Sequence, residues 1–137
     1  GTVTAKAIKD SLVEGGFKES DSLYINAHGT GTALNDKAET VAIKLALGED
    51  LARKASISST KSMHGHMLGA AGAIELVISA LAVKNGIVPP TIGLTSPDPE
   101  CDLNYTPLVP EKKDIDFAVS ESLGFGGHNA CVAIKKI

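Results

Sequence analysis

The stretch Ser22-Leu23-Tyr24-Ile25-Asn26-Ala27-His28-Gly29-Thr30-Gly31-Thr32 reads as a short apolar strand running into a glycine-rich loop, with a helix beyond it. The same order recurs at Ala55-Ser56-Ile57-Ser58-Ser59, followed by Lys61-Ser62-Met63-His64-Gly65-His66 and a helix rich in small residues. Strand, loop and helix, twice in succession, predict an α/β sheet with packed helices. Loops held by rigid strands are where catalytic groups collect, and glycine lets the backbone approach a ligand closely. Each loop carries a histidine, His28 or His66, and Lys61 precedes the second. That pairing points to stabilised anions rather than to a bound metal. What the pattern lacks is a nucleophile.

Outward from these loops, Val3, Ala7, Ile8, Leu12 and Val13 share one helical face, and Gly15-Gly16 ends that helix. Leu23 to Ala27 is a buried strand, and Asn35-Asp36 is expected to cap a helix over 37–47 that Gly48 stops. Ala55 to Ser59 is the second strand. A long helix is expected over 68–84, closed by Asn85-Gly86. From Val88 onward, Pro89, Pro90, Pro97, Pro99, Pro107 and Pro110 exclude helix and predict an irregular connection. Two late strands, over 116–122 and 130–135, flank Gly124-Phe125-Gly126-Gly127 and fit an antiparallel pair.

With 137 residues, 43% of them hydrophobic, the chain is long enough to bury a continuous core as a single domain over 1–137. A net charge of -3 with no Lys/Arg run gives no footprint for nucleic acid. The apolar stretch from Ala70 to Val83, interrupted by Gly72, Glu75 and Ser79, is too short for a membrane span, so no membrane partner is expected. Cys101 and Cys131 have neither a zinc nor a CxxC spacing. Both suit a structural role in a reducing, cytoplasmic setting. The opening Gly-Thr-Val-Thr, without an initiating methionine, suggests a piece of something longer.

The helix after His66 opens Gly69-Ala70-Ala71-Gly72-Ala73, and two helical glycines need a reason, since each costs about 0.5–1 kcal/mol relative to alanine. Tight packing is one reason. A buried helix start favouring an anion is a compatible second. Glu75 is the one charge among Ile74, Leu76, Val77 and Ile78, and Lys61 is its expected partner, either structurally or to tune the neighbouring histidine. His64 and His66 form an HxH pair, but no third ligand completes a zinc site. Thr30 and Thr32 bring hydroxyls beside His28. Phe125 is flanked by glycines; such an aromatic can swing, or can offer its backbone N–H to an oxyanion.

Taken together, the Asn26-to-Thr32 loop, the Lys61-to-Gly72 segment and Gly124 to Gly127 resemble the C-terminal half of β-ketoacyl-acyl carrier protein synthases of the type II, chain-elongating kind. The resemblance extends over essentially the whole chain, including Pro89-Pro90-Thr91 and Pro97 to Leu103. It implies a thiolase-like, five-layer α-β-α-β-α fold of two similar halves, of which this chain is the second. It also implies decarboxylative Claisen condensation of malonyl-carrier protein with an acyl thioester in fatty acid elongation. His28 and His66 would be the catalytic histidines that stabilise the enolate oxygen, and Lys61 would orient and charge the site, with Glu75 as the buried acid beside it. Phe125 would gate the site, with Gly126 and Gly127 beside it, and Thr30 and Thr32 would bind the pantetheine arm. The implied partners are acyl carrier protein, with its phosphopantetheine-linked acyl and malonyl groups, and a second subunit in a homodimer.

No organic cofactor is implied, although Asn26, Glu39, Glu75 and Ser120 resemble a structural monovalent or divalent cation site. The chain departs from the family at three places: His64 where small or apolar residues are common, Gly31 where serine is common, and Glu121 where asparagine is usual. The family's nucleophilic cysteine belongs to the other half, so this chain alone is expected to be inactive. A thiolase shares the fold but takes one histidine from this half. A non-catalytic carrier-binding or chain-length module is the third reading, and the intact His28, Lys61 and His66 argue against it.

Overall fold

Alternation along two strands decides where every layer lies. Leu23 and Ile25 of the first strand and Ala27 just beyond it, with Phe117 and Val119 of a later strand, join Ile8, Leu12, Ile43 and Ile57 in one core cluster. Tyr24 and Ala118, the residues between, join Ala82, Val83, Val88 and Ile115 in a second. Successive side chains point to opposite faces of a sheet, so both faces of these strands are covered. The computed structural model describes residues 1–137. It has α1 (Thr2–Gly15), β1 (Leu23–Asn26), α2 (Ala33–Leu47), α3 (Glu49–Lys54), β2 (Ser56–Ser58), α4 (Lys61–His64), a 3-10 turn (Leu68–Ala70), α5 (Ala71–Asn85), β3 (Ile87–Val88), β4 (Glu111–Lys112), β5 (Phe117–Gly124) and β6 (His128–Lys135).

The main sheet runs β2-β1-β5-β6, with β1 parallel to β2 and β5, and β6 antiparallel to β5. Helices α1 and α2 cover one face and α5 the other, giving the mixed sheet with packed helices that the sequence predicts. Phe117, 1% exposed, meets Phe17 edge to face at 5.5 Å and anchors the first cluster. Gly16, at φ 76, closes α1 as expected, while Phe17 N–H reaches back to Leu12 O.

Several boundaries differ from the sequence reading. Helix α2 begins at Ala33 rather than Lys37: Thr32 is extended and its carbonyl accepts the first helical bond, from Asp36 N. Asn35 and Asp36 lie inside the first turn instead of capping it. The stretch after Lys61 is a one-turn helix, α4, rather than a loop. Two further elements were not anticipated: the six-residue α3 after Gly48, and the β3–β4 ribbon that pairs the ends of the proline-rich connection. Helix α5 opens through a 3-10 turn with no buried residue, so its start is not the buried anion site suggested by the small residues. The close approach is at Gly72, where a Cβ would lie 3.3 Å from Ser122 Oγ, whereas Gly69 faces open space.

The run Leu68–Asn85 also proves longer than the sequence reading allowed, at 18 residues of mean hydropathy 1.4, which is long and apolar enough for a membrane span by length and composition. One side of it packs into the core. Glu75 and Ser79 on it are fully buried, and the helix packs against β5.

Candidate active site

The carboxyl ends of β1 and β2 are neighbours in the sheet, so the loops that follow them meet. His28 and His66 face each other edge to face, ring centroids 5.4 Å apart at 87°. Beneath them, Lys61 from α4 and Glu75 from α5 form an ion pair, 4% and 0% exposed at their side chains. Glu75 uses one oxygen for the lysine, and its Oε2 has no protein partner. The partnership expected from a lone charge on an apolar helix is therefore present. Removing either member would leave an uncompensated buried charge, at a cost of about 3–5 kcal/mol.

His28 is buried, and burial, then the charges of Lys61 and His66, push its pKa down to about 4. It is a neutral imidazole at physiological pH. For His66 the hydrogen bonding fixes the tautomer: Leu68 N–H donates to Nδ1 at 3.1 Å, leaving the ring proton on Nε2. His66 and Lys61 line a cavity of about 890 Å3. An imidazole N–H donor at the wall of a cavity, with a buried ammonium beside it, can stabilise developing negative charge on a ligand oxygen.

The His28 loop is held from α2. Glu39, buried, accepts the His28 and Gly29 backbone N–H groups at 2.7 Å each, one per oxygen, and Asn35 Nδ2 at 2.6 Å. From the other side, Ser59 Oγ donates to Gly29 O at 2.6 Å. This anchoring role of Glu39 was not legible beforehand, because a glutamate on an amphipathic helix ordinarily faces water. Thr30 lines the cavity and its Oγ1 lies 3.2 Å from Thr32 Oγ1, whereas Thr32 is the N-terminal flank of α2 and is not part of the wall. The opposite wall comes from the proline-rich connection, through Ile92, Leu94, Cys101 and Tyr105. Thr91 ties it down, accepting from Ser59 N and donating to Tyr105 O.

The structure brings His28, His66, Lys61 and Glu75 together and leaves others apart. Phe125 is 96% exposed at the tip of the β5–β6 hairpin, and neither it nor Gly126 and Gly127 lines the cavity. Both glycines sit at φ 81, so the tip needs residues without a side chain. Asn26 and Ser120 are register partners on one face of the sheet, and Glu75 comes from the helix covering it. Glu39 has both oxygens filled and stands apart from that set. Asn26 Oδ1 and Glu75 Oε2 are buried without partners, a donor set that fits an oxygen-liganded cation. Glu121 alternates to the other face, opposite Cys131, and burial and then Glu39 raise its pKa to about 9. Burial also pushes the Cys131 thiol up, to about 12, and raises that of Cys101, so neither is an activated thiolate.

Known proteins resemble this chain in sequence and in fold. Residues 1–95 match the family described as "Beta-ketoacyl synthase, C-terminal domain". The chain is 50% identical over 136 residues to 3-oxoacyl-[acyl-carrier-protein] synthase 2 of Synechocystis sp., covering 99% of this chain and 32% of that protein. It is 46% identical over 131 residues to nodulation protein E of Rhizobium meliloti, covering 96% of this chain and 32% of that one. Among solved structures, a type II polyketide ketosynthase in complex with its acyl-carrier protein superposes with TM-score 0.92 at 40% identity, over 98% of this chain and 33% of that one. A β-ketoacyl synthase from Burkholderia phymatum superposes with TM-score 0.89 at 32% identity, over 98% and 32%. The chain thus spans about a third of the length of the curated relatives it matches. Its two histidine loops, its mixed sheet and these matches agree: the chain belongs to the β-ketoacyl synthase family and corresponds to its C-terminal domain.

Proposed function

We propose that this chain supplies the histidine and lysine side of the active site of a 3-oxoacyl-[acyl-carrier-protein] synthase, and that its substrates arrive as thioesters on an acyl carrier protein. The observation that carries the reading is the edge-to-face His28–His66 pair over the buried Lys61–Glu75 ion pair. In the reaction, the malonyl thioester loses carbon dioxide by cleavage of the bond to its carboxylate carbon. The electron pair passes into the thioester carbonyl, and the resulting enolate oxygen is met by imidazole N–H donors. The enolate carbon then attacks an acyl thioester, a carbon–carbon bond forms and the thiolate leaves. A neutral His28 suits this task, since its imidazole can donate a hydrogen bond without surrendering the proton.

The acyl-bearing thiol is assigned to a segment outside this chain, because burial keeps Cys101 and Cys131 protonated. A monovalent or divalent cation held by Asn26, Glu75 and Ser120 would take up the unpartnered oxygens of Asn26 and Glu75 and stiffen the floor of the site. The test is malonyl-carrier protein decarboxylation by the longer protein that carries this chain. His66→Ala and His28→Ala are each expected to lower the rate by about 100-fold. Unchanged decarboxylation in both would refute the assignment. Mass spectrometry of the 137-residue chain after acyl-thioester treatment is expected to show no adduct on either cysteine.

A further inference from the structure

His64 is the member of the His64-Gly65-His66 stretch that the proposed chemistry does not use, yet both its ring nitrogens are engaged. Nδ1 lies 2.7 Å from Gly65 O, and Nε2 lies 3.1 Å from Thr60 Oγ1. A carbonyl oxygen only accepts, so Nδ1 carries the ring proton and the Nε2 lone pair takes the Thr60 hydroxyl proton. Thr60 Oγ1 in turn accepts from Asn26 Nδ2 at 3.1 Å. Every donor in this chain points the same way: Asn26 to Thr60, Thr60 to His64, His64 to Gly65. Asn26 and Thr60 are fully buried, so water does not replace either partner.

The ends of the chain matter. Asn26 lies two residues before His28, and Gly65 immediately precedes His66. The hydrogen-bond series therefore ties the strand end that carries one site histidine to the peptide that carries the other. It also settles Asn26, because donating Nδ2 to Thr60 leaves Oδ1 as the unpartnered oxygen. We propose that His64 is a positioning residue, which acts through Thr60 and Gly65 to fix the separation and tilt of the His28 and His66 rings. Its Nδ1–H tautomer is opposite to the Nε2–H tautomer of His66, two residues away.

The tautomers stand independently of the proposed reaction; only the effect on rate rests on it. Long-range 1H–15N NMR of the chain reads both rings, and His64 on Nδ1 with His66 on Nε2 is the expected result. In the longer protein, His64→Ala is expected to lower kcat for malonyl decarboxylation about tenfold with KM unchanged. His64→Gln, whose amide oxygen can still accept from Thr60, is expected to restore most of that loss. His64 protonated on Nε2, or a His64→Ala protein with the parental kcat, would overturn the inference. A parent with the Nδ1–H tautomer that decarboxylates nothing would uphold the hydrogen-bond series and sink the reaction instead.

Discussion

Gly29 is held where no side chain fits. Its φ is 39°, and a Cβ there would lie 2.4 Å from Ser59 Cβ, a side chain already fixed by its bond to Gly29 O. Gly29→Ala is therefore expected to cost about 3 kcal/mol, from backbone strain together with overpacking. Thermal unfolding would show a lowered Tm, and an unchanged Tm would mean that the loop relaxes freely. Glu39, which accepts the His28 and Gly29 N–H groups, makes the loop rigid from the other side. At this scale the sequence showed residues whose chemistry conflicts with their setting. Glu75 in an apolar helix demanded a partner, and histidines in glycine loops demanded a reason. Glu39 raised no such conflict, so its grip on the His28 loop emerged only from the folded geometry.

The wall opposite the histidines depends on a segment with little regular structure, and its outer edge is fastened by charge. Asp102 meets Lys44 at 2.6 Å and Arg53 at 2.7 Å, and Glu100 pairs with Lys37. The lysine, then the arginine, holds the Asp102 carboxyl down at about 2, below its ordinary value of 3.8. A depressed carboxylate contributes its stabilisation above pH 3.8, and the contribution disappears as the pH falls through 2. Asp102→Asn should remove that acid-dependent step. It should also raise hydrogen exchange and proteolysis over residues 93–102 while leaving Tm nearly unchanged, because exposed pairs add little to global stability. Protection equal to that of the parent would show that the wall is held by Thr91 and Tyr105 alone.

Elements of this size explain where sequence reading stopped. Helices α3 and α4 are six and four residues long, too short to display a helical period, and β3 and β4 are two residues each. The long elements were legible because their faces repeat over many residues. Even there, α2 starts four residues early, since the first turn uses Asn35 to hold Glu39 rather than to cap the helix.

Across the whole molecule, the two faces of the sheet are finished to different degrees. Helix α5 buries Ala71, Glu75, Ser79, Ala82 and Val83 against β1 and β5, yet Ile74, Val77 and Leu81 on its outer side are 38%, 57% and 51% exposed. Spacings of three and four residues place these three side chains on one stripe. Met63, Met67 and Leu68, in α4 and the turn that leads into α5, are exposed as well. Exposed apolar stripes of this kind are uncommon on soluble monomers and promote association. The 137-residue chain by itself is expected to bind a hydrophobic fluorescent dye and to self-associate as its concentration rises. Substituting Val77→Glu with Leu81→Lys places an (i, i+4) ion pair on the stripe without touching the buried side of the helix. Dye fluorescence and sedimentation should both fall severalfold while Tm stays within about 3 °C of the parent, since neither residue belongs to a core cluster. A large loss of Tm would instead show that the outer side of α5 contributes to the core, and unchanged association would place the sticky surface elsewhere.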